Sequence, residues 1–172
     1  NGNLPLFELS NMQIPDTIMS SDDVTIKWTT TNKGEWMAKN IKVGVFRSDD
    51  GEWSKQDELL TTITIPTLNK GASVVNSATI NIPDRNHGKW NIFIKADYNN
   101  DIVQLVKNAG ILVNPVTVAL SPIPDLVVTS LSADGTAWSG QKITLTTKYM
   151  NQGMHTTRQT RWSEDYYLAQ SN

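Results

Sequence analysis

Apolar residues recur at every second position along most of this chain, and that period admits few folds. Val24, Ile26 and Trp28 alternate with Thr25, Lys27 and Thr29, and Ile41, Val43 and Val45 with Lys42 and Gly44. Ile63 and Ile65 flank Thr64, while Ala78, Ile80 and Ile82 alternate with Thr79 and Asn81. Trp90, Ile92, Ile94 and Ala96 form a further series, and Ile143, Leu145, Thr147 and Tyr149 the last. Successive side chains of a strand point to opposite faces, so this is the pattern of strands with one buried face. β-branched residues dominate the runs, as packing on a pleated surface favours.

Turn signals separate the runs. Asn-x-Gly occurs at Asn32–Gly34, Asn69–Gly71, Asn86–Gly88, Asn108–Gly110 and Asn151–Gly153, and Asp-Gly at Asp50-Gly51 and Asp134-Gly135. Asn and Gly tolerate the positive φ that tight turns demand. Pro66 and Pro83 are each expected to close a strand, because proline donates no ladder hydrogen bond. Short helices are expected only around Trp53–Leu60 and Tyr98–Lys107. Many short strands with regular turns predict an all-β, immunoglobulin-like antiparallel β-sandwich.

The chain also repeats itself at a spacing of 119 positions. Pro5, Thr17, Ser20, Thr25, Asn32 and Gly34 meet Pro124, Thr136, Ser139, Thr144, Asn151 and Gly153 without a gap. Apolar positions follow the same register: Phe7 with Leu126, Leu9 with Val128, Met12 with Leu131, Val24 with Ile143, Ile26 with Leu145. Identity at turns and similarity at inward positions is what a shared fold produces. The spacing is close to the size of one immunoglobulin-like domain. The reading is one complete sandwich over 1–118, a proline-rich linker over 119–124, and a partial second copy over 125–172. Asn114-Pro115 and Ser121-Pro122-Ile123-Pro124 bracket the junction. The second copy has room for roughly three strands, too little to be comfortably stable alone, and its last strand is expected to have an open edge.

Several functions are excluded or disfavoured. With no cysteine among 172 residues, disulfides, thiolate metal sites and cysteine nucleophiles are impossible. Fifteen Lys and Arg against 17 Asp and Glu give a net charge of −2, unlike a nucleic-acid binder. No apolar run approaches membrane-spanning length. Gly-x-Ser-x-Gly, His-Glu-x-x-His and phosphate-loop motifs are absent. His87 lies inside a turn and His155 just after one, where solvated side chains are the expectation, so no enzyme is expected.

From Pro124 onward the chain resembles CARDB, a cell-adhesion-related domain found in bacteria. The matching residues are Pro124-Asp125-Leu126-Val127-Val128, Trp138-Ser139-Gly140-Gln141, Tyr149 with Asn151-Gln152-Gly153, and Arg161–Leu168, similar to a family strand. In the first copy, Asn32-Lys33-Gly34 and Gly88–Asp97 resemble the corresponding family segments. The family usually carries acidic residues after that strand, where this chain has Gln104–Gly110. The resemblance implies a non-catalytic spacer or adhesion module of a larger bacterial surface or secreted protein. Its partners would be a surface protein or glycan, or neighbouring copies of itself. Two alternatives remain open: a carbohydrate-binding module, and a filament subunit completed by strand exchange.

Candidate site residues are few. Trp36 and Trp53 fall in expected loops, where exposed rings can stack on sugars or anchor an interface. Trp28 and Trp90 sit among isoleucines and are expected in the core, and Trp138 and Trp162 are expected to pack structurally. Asp97, Asn99 and Asp101 place oxygen side chains at alternate positions, a calcium-loop pattern that lacks the distal bidentate glutamate. Asp22-Asp23 and Asp49-Asp50-Gly51-Glu52 are further acidic clusters that could contribute. A hairpin turn with solvated acids is the competing reading.

Overall fold

A computed structural model describes residues 3–154, 156–157 and 161–169. His155 lies outside the described residues. Among the described residues there is no helix, and two compact units divide the chain, 1–120 and 121–172.

Unit 1 is a sandwich of two sheets. One has the order β1-β3-β6, with β1 Phe7–Gln13, β3 Asp23–Asn32 and β6 Ser73–Asn81. The other has the order β2-β8-β7-β4-β5, with β2 Thr17–Met19, β8 Ile111–Ala119, β7 Gly88–Ala96, β4 Ala38–Ser48 and β5 Glu58–Leu68. The inward series meet as the alternation requires. Phe7, Leu9, Val24, Ile26, Trp28 and Ile80 from one sheet pack against Ile41, Val43, Val45, Trp90, Ile92 and Ile94 from the other. Trp28 and Trp90 are thus core residues. Trp28 Nε1 donates to Thr30 Oγ1, which also accepts from Asn76 Nδ2, so the polar atoms buried beside the indole are satisfied.

Three expectations are corrected. No helix forms over Trp53–Leu60, because β5 starts at Glu58 and its threonines and isoleucines pair along β4. Tyr98–Lys107 is an irregular loop whose backbone is tied to the Asp97 carboxylate. Pro66 does not close β5 but lies within it; β5 is the edge of its sheet and needs no donor on its outer side. Asn114-Pro115, before the junction, lie within β8; β2 covers only Thr117–Ala119 and leaves Pro115 beside an open edge.

Asn32 fastens the incoming chain to the end of unit 1. Its buried amide accepts N–H groups from Leu6 (3.2 Å) and Gly34 (3.0 Å) and donates to the carbonyls of Trp36 (2.7 Å) and Leu68 (3.2 Å). Gly34 is needed for room rather than for positive φ, because an added Cβ would reach the Pro5 carbonyl carbon at 2.6 Å.

Unit 2 contains β9 Leu126–Ala133 and β10 Leu145–Asn151, paired antiparallel. Its register repeats that of β1 and β3. Phe7 faces Asn32 and Leu126 faces Asn151, Leu9 faces Thr30 and Val128 faces Tyr149, with a one-residue slip further along in each pair. The clamp recurs as well. Asn151 Oδ1 accepts from Asp125 N–H (2.9 Å) and Gly153 N–H (3.0 Å), and a Cβ on Gly153 would meet the Pro124 carbonyl carbon at 2.7 Å. What differs is the cover. Phe7 and Leu9 are 2% and 7% exposed, whereas Leu126 and Val128 are 42% and 61% exposed. Residues 161–169 form no strand. Trp138 projects into solvent, and Trp162 only leans edge-on against Tyr149, so the packing expected of this pair is not made. These rings have no second sheet over them to pack against.

Candidate functional site

The outer face of the five-stranded sheet is covered too, and this sets the chemistry of unit 1. Gly44 and Lys95 lie opposite each other on the central strands β4 and β7, as do Phe46 and Phe93. Gly44 leaves space that the Phe46 and Tyr98 rings occupy, as a Cβ there would meet both. Phe46 contacts Trp53 and Tyr98 edge-on, at centroid distances of 6.1 and 5.5 Å. Such T-shaped pairs suit the ring quadrupole. A groove of ≈ 340 Å³ runs along this cluster, with Lys55, Asp57 and Asn99 on its rim.

Lys95 is fully buried beneath the cluster. Its Nζ donates to the Ala109 carbonyl at 2.7 Å and lies 5.6 Å from the Trp53 ring centroid. Burial pushes its ammonium below the usual lysine range, and the neighbouring Asp97 charge opposes that shift. Burial likewise pushes the Asp97 carboxyl up, against the hydrogen bonds from Gln104, Ile102 and Asp101. Lys95 escaped sequence reasoning, which gave it an ordinary outward position. The available signal was Phe93, another outward position on the same strand that is too apolar for a solvated face.

The acidic loop does not bring the candidate oxygens of Asp97, Asn99 and Asp101 together. Asp97 Oδ1 accepts N–H groups from Asp101 (2.9 Å) and Ile102 (3.3 Å), and Oδ2 accepts from Gln104 Nε2 (3.0 Å). Oxygens met by N–H donors are poorly placed for a cation that needs six to eight oxygen ligands. Asn99 points to solvent, and Asp101 pairs with Lys42 at 3.7 Å. Among the described residues, no three His, Asp or Glu side chains gather as a metal site. Asp97 instead organises the loop, with its own backbone at φ 49°.

Trp36 and Trp53 do not form one platform. They flank opposite ends of β4, an 11-residue strand that spans about 35 Å at roughly 3.3 Å per residue. Trp36 projects outward, while Trp53 is half-buried against Phe46. His87 lies exposed, its ring nitrogen 3.3 Å from the Arg85 carbonyl.

No curated protein matches this chain by sequence. Among solved structures, the chain is similar to the CARDB domain of a Pyrococcus furiosus protein in complex with di-metal ions. The TM-score is 0.56 at 18% identity, over 70% of this chain and 99% of that one. The solution structure of that domain gives 0.56 at 19% identity, over 70% and 100%. A β-glucosidase from Listeria innocua in complex with glucose matches 66% of this chain and 16% of its own, at 14% identity and a TM-score of 0.48. The CARDB family signature matches residues 4–109, the span that holds β1 to β7 of unit 1. The chain therefore belongs to the CARDB family, a non-catalytic, cell-adhesion-related domain.

Proposed function

We propose that this chain is a spacer of a larger bacterial surface or secreted protein, projecting or linking the segments that make adhesive contacts. One observation carries the reading: the chain enters unit 1 at one end of the sandwich and leaves at the other. Segment 4–6 is clamped beside Asn32, where β3 ends. Strand β8 starts at that same end, since Gly110 packs against Phe7, and runs nine residues away to exit beside β2. That path is about 30 Å long at roughly 3.3 Å per residue.

Single-molecule pulling between the two ends of unit 1 tests the role. Unit 1 is expected to resist and then yield in one step. A trace that lengthens gradually, like an unfolded chain, would refute the spacer reading.

The second unit is read as the opening of another CARDB module. Its register, its Asn151–Gly153 clamp and its uncovered inward face support this. That face, with Leu126, Val128, Leu131 and Tyr149 around a ≈ 400 Å³ groove, matches what the five-stranded sheet covers in unit 1. Amide exchange checks the assignment. Protons of β9 and β10 are expected to exchange roughly a thousandfold faster than those of β4 and β7, because among the described residues no second sheet packs over them. Equal protection of both units would show that unit 2 is already complete. Strand exchange between copies would instead give assemblies that grow with concentration in sedimentation velocity.

A further inference from the structure

The loop that joins β7 to β8 is turned inside out. Gln104, its central polar residue, points inward, where Nε2 bonds Asp97 and Oε1 is buried without a partner. Val103, Leu105 and Val106 point outward and are 74%, 57% and 52% exposed. A surface loop normally presents the opposite polarity. The loop between β3 and β4 adds Trp36 at 56% and Met37 at 37%. Both loops converge on the same dipeptide, since Glu35 N–H donates to the Leu4 carbonyl and Leu105 N–H to the Pro5 carbonyl, each at 3.0 Å. One end of unit 1 therefore presents five large apolar side chains. They are held by firm anchors: Asp97 fixes one loop and the Asn32 amide the other.

We infer that this apolar tip inserts into the surface of an anionic lipid bilayer. Two observations select that occupant over a protein partner. First, the side chains project singly from two loops with large free surface, and fluid acyl chains accept such projections without a complementary wall. A tryptophan among them suits the headgroup boundary. Second, the charge around the tip is basic on an acidic chain. Lys33, Lys42 and Lys70 pair with Glu8, Asp101 and Glu35, and the exposed Lys39 and Lys107 are left in excess, while the whole chain carries −2. Basic groups near the surface of an anionic leaflet add attraction that salt weakens. The tip is also particular to unit 1, because Trp36 and Met37 correspond to His155 and Thr156 at the 119-residue spacing. A contact made by every module with its predecessor would need those residues in both.

Vesicle co-sedimentation of the full chain tests this, using pure phosphatidylcholine and an equal mixture with phosphatidylglycerol. The chain is expected to pellet with the anionic vesicles, less so as salt rises, and to stay in solution with the neutral ones. Leu105→Ser with Val106→Ser is expected to weaken that binding roughly tenfold or more, with an unchanged melting temperature because both side chains are exposed. Trp36→Ser is expected to act in the same direction. The uncovered face of unit 2 is apolar as well, so Val128→Asp serves as the control and is expected to leave binding intact. No uptake by either vesicle, equal uptake by both, undiminished binding of the tip variants, or loss only in Val128→Asp each overturns the inference.

Discussion

Asn32→Ala is expected to destabilise unit 1 by about 3–5 kcal/mol, among the largest losses available to a single polar residue. The side chain is fully buried and makes four hydrogen bonds, all to backbone groups. Alanine strands two N–H groups and two carbonyls in a place too tight for four waters, and an orphaned buried group costs roughly 1–3 kcal/mol. Gly34→Ala should act at the same point by a different route. Its Cβ collides with the backbone of Leu4, Pro5 and Leu6, so the clamped segment must move away from the turn. The equivalent change in unit 2, Asn151→Ala, is expected to cost only about 1 kcal/mol or less, because Asp125 and Gly153 lie where water can replace the lost acceptor. Urea unfolding of the three variants measures the difference. A loss below about 1 kcal/mol for Asn32→Ala would show that the clamp is not what holds the incoming strand.

Asp97→Ala is expected to cost about 2–4 kcal/mol at neutral pH, since it removes the acceptor for Asp101, Ile102 and Gln104 and leaves the buried Lys95 without its nearest opposing charge. The loss should depend on pH in a definite sense. Burial raises the Asp97 carboxyl above its ordinary 3.8, so the stabilisation linked to its protonation is complete below 3.8 and is lost as pH rises through the raised value. The gap between wild type and variant is therefore widest in acid and narrows as pH rises. Parallel stability profiles across that range would mean that Asp97 does not titrate differently when folded. The variant should also loosen the 97–110 loop, so amide exchange at Ile102 and Leu105 is expected to accelerate while β3 stays protected.

The sandwich was legible because alternation and β-branching act locally. Six runs of inward residues fall in strands of the structure, and the 119-residue register reappears in the pairing of β1 with β3 and β9 with β10. The errors have a common physical source. Pro66 read as the end of a strand, yet it sits inside β5, whose outer edge is open, and which edge is open depends on sheet order. Trp53–Leu60 and Tyr98–Lys107 looked helical by composition, but cross-strand pairing claims the first and the Asp97 carboxylate the second. Gly34 and Gly153 read as turn residues chosen for positive φ, and distance to a neighbouring peptide is their actual constraint.

The candidate site divides along the same line. Sequence alone marked Trp36, Trp53 and the acids at 97–101 as residues able to do chemistry, because residue type sets what a side chain can donate, accept or stack upon. It could not say which of them meet. Two tryptophans flanking one strand lie at its opposite ends, and a carboxylate suited to calcium is met by N–H donors from its own loop. Lys95 and Gln104 gained importance only in three dimensions, one sealed under aromatic rings and the other turned inward so that Val103, Leu105 and Val106 face out. The strands, the sandwich class and the 119-residue echo were decided by sequence alone, since periodicity and turn chemistry are properties of neighbours along the chain. Tertiary structure decided which edges are open, which face lacks a cover and which loops share an end, since those depend on residues far apart in sequence being brought together.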